Sequence, residues 1–193
     1  MVNALSNERK QVKVSILDTN IGGSYVNQPE IVNQEQKYSP TSSSVIVNSI
    51  LMDDLVDVYL HKLLTNQMKM GNQTVSKKFV IKLDIEGYEP FVFEKSERFF
   101  KQLEIVAIFM EFGKMVEKLK QNESEVDLSS NYFNKINNML RILKSLNYEP
   151  YEVNGFNKLD YEKWKDDWPW DVYFRNCDLI TCPGHIYKLT GSV

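Results

Sequence analysis

The stretch KKFVIKLDIEGYEPFVFE, residues 77 to 94, decides the fold. Its near-continuous apolar run, FVIKLD, is typical of a strand that is covered on both faces. Three carboxylates follow the run with a glycine between the last two, at Asp84, Glu86 and Glu89. Pro90 then suits the first turn of a helix, where its missing N–H costs little. The stretch therefore predicts a strand, an acidic turn and a helix.

A second strand with the same ending follows. LEIVAIFMEF, residues 103 to 112, is an apolar run that stops at Glu111. Because alternating strands and helices favour an α/β fold, we expect a mainly parallel sheet. The ligand crevice of such a sheet lies beyond the carboxyl ends of its strands. Asp84 and Glu111 are therefore expected to converge on one crevice.

The remaining segments have recognisable periods. Apolar residues at helical spacing predict helices within ILMDDLVDVYLHKLL, residues 50 to 64, and from 131 to 146. Short β-type runs predict four further strands, in QVKVSILD (11 to 18), VIVNS (45 to 49), YEPYEVN (148 to 154) and WDVYFRN (170 to 176). Polar composition predicts loops at 27–44 and 118–130.

Composition bounds the class of protein. A chain of 193 residues suits a single domain, here 1–193. The formal net charge of −3 gives no basic surface for a phosphate backbone, so nucleic acid is not an expected partner. Neither a targeting segment nor a membrane segment is recognised, which leaves the cytoplasm as the default expectation.

The sequence gives little support for a zinc site or a catalytic histidine. Cys177 and Cys182 lack a second pair of ligands, so no zinc site is predicted and a structural or incidental role is expected. His61 and His185 lie far from any nucleophile motif, which argues against a catalytic triad.

The acidic motif resembles a known family. VIKLDIEGYE followed by IVAIFMEF is similar to the FkbM-type methyltransferases, whose signature is a strand ending Lys-x-Asp-x-Glu-Gly-x-Glu. In this chain the signature falls on Lys82, Asp84, Glu86, Gly87 and Glu89. NIGGS (20 to 24), MDDLVD and WDVYFRN are similar to further landmarks of that family. The resemblance implies S-adenosylmethionine as cofactor, a Rossmann-like sheet with helices on both faces, and methylation of a hydroxyl on a small molecule or glycan.

One family motif is missing from its expected place. These methyltransferases hold the cofactor with an Asp-x-Gly-x-Asn-x-Gly turn after the first strand. ILDTNIGGS, residues 16 to 24, misses that spacing by two, and no helix start follows it. We therefore expect a partial domain that lacks its first strands, with an incomplete cofactor site. A sheet edge left open in this way predicts self-association.

Roles can be assigned to the acidic residues. Methyl transfer to oxygen needs a positioned acceptor and a nearby base. Asp84 is the expected base or acceptor-orienting group. Glu86 is expected on the same side while the chain stays extended, and two close carboxylates raise the pKa of one. Glu111 is expected to orient the acceptor, although paired carboxylates could instead hold Mg²⁺.

The other residues of the motif have simpler expected roles. Lys82 contacts the acceptor or pairs with one of the acids, and pairing is favoured. Gly87 permits a turn with positive φ or a close approach of ligand. Glu89 is expected to start the next helix. Trp164, Trp168 and Trp170 are an acceptor platform or, more commonly for tryptophan, packing residues.

Two other functions remain open at this point. The chain could be a non-catalytic or truncated α/β module that does not bind cofactor. Alternatively, the DIE tripeptide could bridge a divalent ion to a diphosphate, as in a metal-dependent glycosyltransferase.

Overall fold

A computed structural model describes most of the chain, namely residues 3–16, 25–27, 43–70, 78–121 and 126–180. These residues form an α/β structure with two four-stranded sheets. The predicted α/β class is therefore confirmed. His185, Cys182 and the whole NIGGS segment lie outside the described residues.

The first sheet is built from the N-terminal part of the chain. Its strands are β1 (Asn3–Leu5), β2 (Gln11–Ile16), β3 (Tyr25–Asn27) and β4 (Ser43–Ile50). They lie in the order β1-β4-β2-β3. The β1–β4 pair is parallel, and the β2–β4 and β2–β3 pairs are antiparallel.

The second sheet carries the acidic motif. Its strands are β5 (Lys78–Leu83), β6 (Glu104–Glu111), β7 (Tyr148–Glu152) and β8 (Asp171–Asn176). They lie in the order β5-β6-β8-β7. The β5–β6 pair is parallel, whereas β8 is antiparallel to both of its neighbours. Consequently β5, β6 and β7 run in one direction, with β8 reversed between two of them.

The expectation of a mainly parallel sheet is therefore only partly right, because both sheets are mixed. The reversal of β8 has a physical reason. A parallel return needs a crossover connection, usually an α-helix. The segment between β7 and β8 contains only a 3-10 turn at Tyr161–Lys163, so the chain comes back antiparallel.

Five α-helices are described. They are α1 (Leu55–Met70), α2 (Glu89–Val92), α3 (Glu97–Gln102), α4 (Phe112–Gln121) and α5 (Val126–Ser145). Pro90 lies in the first turn of α2, as predicted. Short 3-10 turns at Met52–Asp54 and Phe93–Lys95 adjoin α1 and α2.

The predicted loops need correction. Most of the expected linker at 118–130 is helical, because α4 continues to Gln121 and α5 begins at Val126. Lys118 and Leu119 are buried, so a segment that reads as charged has a packed face. The loop expected at 27–44 overlaps β3 at Asn27 and β4 at its other end, and residues 28–42 lie outside the described part of the chain.

The main core lies against one face of β5. Phe79, Ile81 and Leu83 contact it, while the alternate residues of the strand are exposed. Val80 is 63% exposed. The expectation that both faces of this strand are covered is therefore wrong for the described residues. The sequence looks continuously apolar because Val80, an apolar residue, lies on the exposed face between Lys78 and Lys82.

Hydrogen bonds join the connection between β1 and β2 to the segment that follows β5. The side-chain amide of Asn7 donates to Glu94 at 3.0 Å, and the Tyr88 hydroxyl donates to Asn7 at 3.0 Å. Leu5 packs against the main core. None of the helices in the described residues is long and apolar enough to cross a membrane.

Candidate functional site

The parallel register brings two predicted site residues to one edge of the second sheet. Leu83 of β5 pairs with Met110 of β6, and each is followed directly by a carboxylate, Asp84 or Glu111. Glu111 is in turn the register partner of Asp171 at the start of β8. Three carboxylates, at the ends of three neighbouring strands, therefore lie together at one edge of the sheet.

Asp171 was not singled out from the sequence. It begins the WDVYFRN strand, and the amino end of a strand reaches this edge only if the strand is antiparallel. The missing crossover helix before β8 is the signal that would have located it.

The carboxyl of Glu111 has a raised pKa. Burial raises the pKa of the Glu111 carboxyl, and the charges of Asp84, Glu86 and Asp171 raise it further. Lys82 acts in the opposite direction. The sequence predicted such an effect within the Asp84–Glu86 pair, whereas the raised pKa described here belongs to Glu111, which lies near three other carboxylates.

Lys82 pairs with Asp84 as predicted. Its Nζ lies 2.7 Å from Asp84 Oδ2, and this hydrogen bond raises the pKa of Lys82. Both side chains are partly exposed, so the pair orders the carboxylate without removing it from solvent. Lys82 thereby lies beside the carboxylates at this edge of the sheet.

Glu86 lies in a turn, which corrects its expected position. Its φ is 58°, so the backbone has left the extended conformation in which residues 84 and 86 share a side. The Glu86 carboxylate lies 3.6 Å from Lys114 Nζ of α4. Its position is therefore set by α4 and by a left-handed turn.

Gly87 combines a positive φ with a close neighbour. Its φ is 82°, which confirms the predicted turn. The close approach is made by a side chain of the protein, since a β-carbon at Gly87 would lie 2.7 Å from Lys118 Cδ. The Tyr132 hydroxyl of α5 donates to the Gly87 carbonyl oxygen at 2.6 Å. Two helices thus hold the turn that follows Asp84.

Glu89 begins α2, as expected, and its side chain is fully buried. Its Oε1 accepts from the Ile85 backbone N–H at 3.1 Å, whereas Oε2 has no hydrogen-bond partner. Burial raises the pKa of Glu89 to about 7, and burial lowers the pKa of nearby Lys118 to about 8. The buried Glu89 side chain therefore holds the turn by its hydrogen bond to the Ile85 N–H.

The three tryptophans take different positions. Trp164 is buried and donates to Asn137 at 3.1 Å, and Trp168 packs on Phe112 with ring centroids 4.5 Å apart. Trp170, immediately before Asp171, is 49% exposed. Trp170 is thus the most exposed of the three, while the other two pack.

Other candidate chemistry lies away from this edge. Cys177 is disulfide-bonded, and His61 is exposed on α1. Among the described residues, no group of three or more His, Cys, Asp or Glu side chains is arranged to hold a metal ion. A cavity of about 460 Å³ lies at the opposite end of the sheet, where Glu104 begins β6 and Asn176 ends β8.

Comparisons with protein-family models, with curated proteins and with solved structures found no match to this chain.

Proposed function

We propose that the chain is an S-adenosylmethionine-dependent methyltransferase domain of the FkbM type that transfers a methyl group to a hydroxyl of a small molecule or glycan. The observation that carries the proposal is the meeting of Asp84 and Glu111 at the carboxyl ends of two adjacent parallel strands. That edge is where open α/β sheets place their ligands.

The site has the groups that such a transfer needs. The acceptor hydroxyl must lose its proton, and a carboxyl whose pKa is raised is a stronger base once ionised. Glu111 has this property because of burial and its three acidic neighbours. Asp84, ordered by Lys82, would orient the acceptor. The preferred base thus becomes Glu111, with Asp84 as its partner.

The half-exposed ring of Trp170 supports an acceptor of moderate size. Its backbone carbonyl accepts from the Gly113 N–H at 2.9 Å, and a β-carbon at Gly113 would lie 2.4 Å from the indole ring. The ring is therefore held against the first turn of α4, next to Asp171. An apolar surface beside carboxylates suits a molecule with both a hydrocarbon face and hydroxyls.

The Rossmann-like arrangement belongs to the same proposal. Strands β5, β6 and β7 share one direction, and a helix follows both β5 and β6 along the chain.

Calorimetric titration with S-adenosylmethionine tests the proposal. If this function is right, the wild-type chain binds S-adenosylmethionine, which would also show that residues 1 to 30 complete the cofactor site that the sequence predicts to be incomplete. Glu111→Gln is expected to keep that binding while losing methyl transfer by at least tenfold, measured as release of S-adenosylhomocysteine with a panel of hydroxyl acceptors. Glu104→Gln is the matched control, because Glu104 lies at the other end of the same strand. Absence of binding by the folded wild-type chain would refute cofactor use by this chain and favour the non-catalytic module.

A further inference from the structure

Strand β5 forms one edge of the second sheet. Its only partner among the described strands is β6, on one side. An edge of this kind presents backbone N–H and C=O groups that can pair with another strand. One face of the strand is open to solvent, since Val80 is 63% exposed and the Lys82 side chain is 67% exposed.

We propose that two copies of the chain associate through β5, paired antiparallel about a two-fold axis at Ile81. In this register Ile81 lies opposite Ile81 of the second copy, and Phe79 lies opposite Leu83. Val80 lies opposite Lys82, and Lys78 lies opposite Asp84. The two four-stranded sheets become one sheet of eight strands, joined by a self-complementary interface.

Charge selects this register over its neighbour. Opposite charges placed directly across an antiparallel pair stabilise it, and like charges destabilise it. Centring on Ile81 sets Lys78 against Asp84 twice, once on each side of the axis. Centring on Val80 would instead set Lys78 against Lys82 twice. The interface is therefore specified by the order of charges along KFVIKLD.

The charged groups have capacity for the new contact. Lys78 Nζ donates to the Leu179 carbonyl oxygen at 3.4 Å, a long hydrogen bond that an ion pair with Asp84 of the second copy can replace. Asp84 accepts from Lys82 through Oδ2, and a carboxylate accepts several hydrogen bonds. Asp84 can thus hold Lys82 of its own chain and Lys78 of the second copy together.

The apolar residues also agree with this pairing. Residues directly opposite in an antiparallel pair lie on the same face of the sheet. Phe79, Ile81 and Leu83 all face the main core, so the cores of the two copies become continuous on one side. On the other side, the exposed Val80 is covered by the aliphatic stem of Lys82 from the second copy.

A cysteine at the axis tests the register directly. Opposite Cα atoms in an antiparallel pair are about 4.5–5.5 Å apart, within the range of a disulfide. Ile81→Cys is expected to form a covalent dimer on mild oxidation, seen by mass spectrometry without reductant. Phe79→Cys is the matched control on the same face, because its two copies would be about 14 Å apart. A covalent dimer of Val80→Cys but not of Ile81→Cys would overturn the register.

Charge reversal tests the association in solution. Sedimentation of the wild-type chain at concentrations up to about 100 μM is expected to show a dimer. Lys78→Glu should weaken it at least tenfold, and adding Asp84→Lys should restore it. Lys163→Glu makes the same charge change on the distant Tyr161–Lys163 turn and should leave the dimer intact. A monomeric wild type, or a folded double variant without rescue, would overturn the proposal.

Discussion

The aliphatic stem of Lys118 lies so close to the α-carbon of Gly87 that a β-carbon there would meet Lys118 Cδ at 2.7 Å. The Tyr132 hydroxyl holds the Gly87 carbonyl from another helix. The turn between β5 and α2 is therefore fixed by α4 and α5 together. Because Asp84 and Glu86 belong to the same turn region, packing in the core sets the geometry of the exposed carboxylates.

Gly87→Ala should destabilise the protein by about 1–3 kcal/mol. Two causes add: a side chain at a φ of 82° is strained, and its methyl group meets the Lys118 stem. Urea unfolding measures the loss. Gly155→Ala is the control, because a β-carbon there would first meet the Glu152 carboxylate, the far end of a half-buried side chain. An equal loss in both variants would contradict the special role of Gly87.

The sequence was most informative where one pattern had one structural solution. The mainly apolar run FVIKLD predicted a strand that ends at the carboxylate of Asp84, and this strand is β5. The glycine after Glu86 predicted a positive φ, which Gly87 has. The same logic failed for Glu86, because a period of two holds only while the chain stays extended. Its left-handed φ of 58° depends on contacts with α4 and α5, which lie more than twenty residues further along the chain.

Ion pairs show the same division between local and long-range information. Helical spacing suits both Glu97 with Lys101 and Glu94 with Arg98, but only the first pair forms, at 2.6 Å. Glu94 instead pairs with Lys135 of α5, and Arg98 pairs with Asp57 of α1. The partners of Glu94 and Arg98 come from elements that are distant in sequence, and spacing along one helix cannot reveal them.

Glu89→Gln should remove a pH dependence of stability. The pKa of Glu89 rises from the ordinary 4.5 to about 7 on burial, so the folded state holds this proton more tightly than the unfolded chain. Its contribution is therefore complete below pH 4.5 and is lost as the pH rises through 7, by on the order of 2–3 kcal/mol. Glutamine keeps an acceptor for the Ile85 N–H and cannot ionise. Urea unfolding of both proteins between pH 4.5 and 8 measures the difference.

Lys118, next to Glu89, adds its own pH dependence of stability at higher pH. The pKa of Lys118 falls from 10.5 to about 8, so its contribution is complete above pH 10.5 and is lost as the pH falls through 8. Comparing wild type with Glu89→Gln cancels most of this effect. Glu97→Gln, an exposed carboxyl paired with Lys101, is the control. If the wild type and Glu89→Gln show parallel pH profiles, Glu89 does not titrate in this range.

Tyr132→Phe should separate turn geometry from general stability. The change leaves the Gly87 carbonyl without its 2.6 Å hydrogen bond, at a cost of about 1–3 kcal/mol. Tyr148→Phe is a matched control, since the Tyr148 hydroxyl donates to the Ile105 carbonyl at 2.6 Å near the opposite end of the sheet. Both variants should lose similar stability. Only Tyr132→Phe should shift the backbone amide resonances of residues 84 to 87, as measured by NMR. Equal shifts in both variants would contradict a specific role of the Tyr132 hydrogen bond in holding this turn.

The pKa of Glu111 should respond to its neighbours in opposite directions. Asp84→Asn removes a negative charge that raises this pKa, so the pKa should fall towards its ordinary value. Lys82→Met removes a positive charge that lowers it, so the pKa should rise further. Carbon-13 NMR titration of the side-chain carboxyl measures both shifts, with Glu104→Gln at the far end of β6 as the unchanged control. If neither variant moves the pKa of Glu111, the three side chains are not close enough to interact, and the geometric basis for a base at this edge of the sheet is lost.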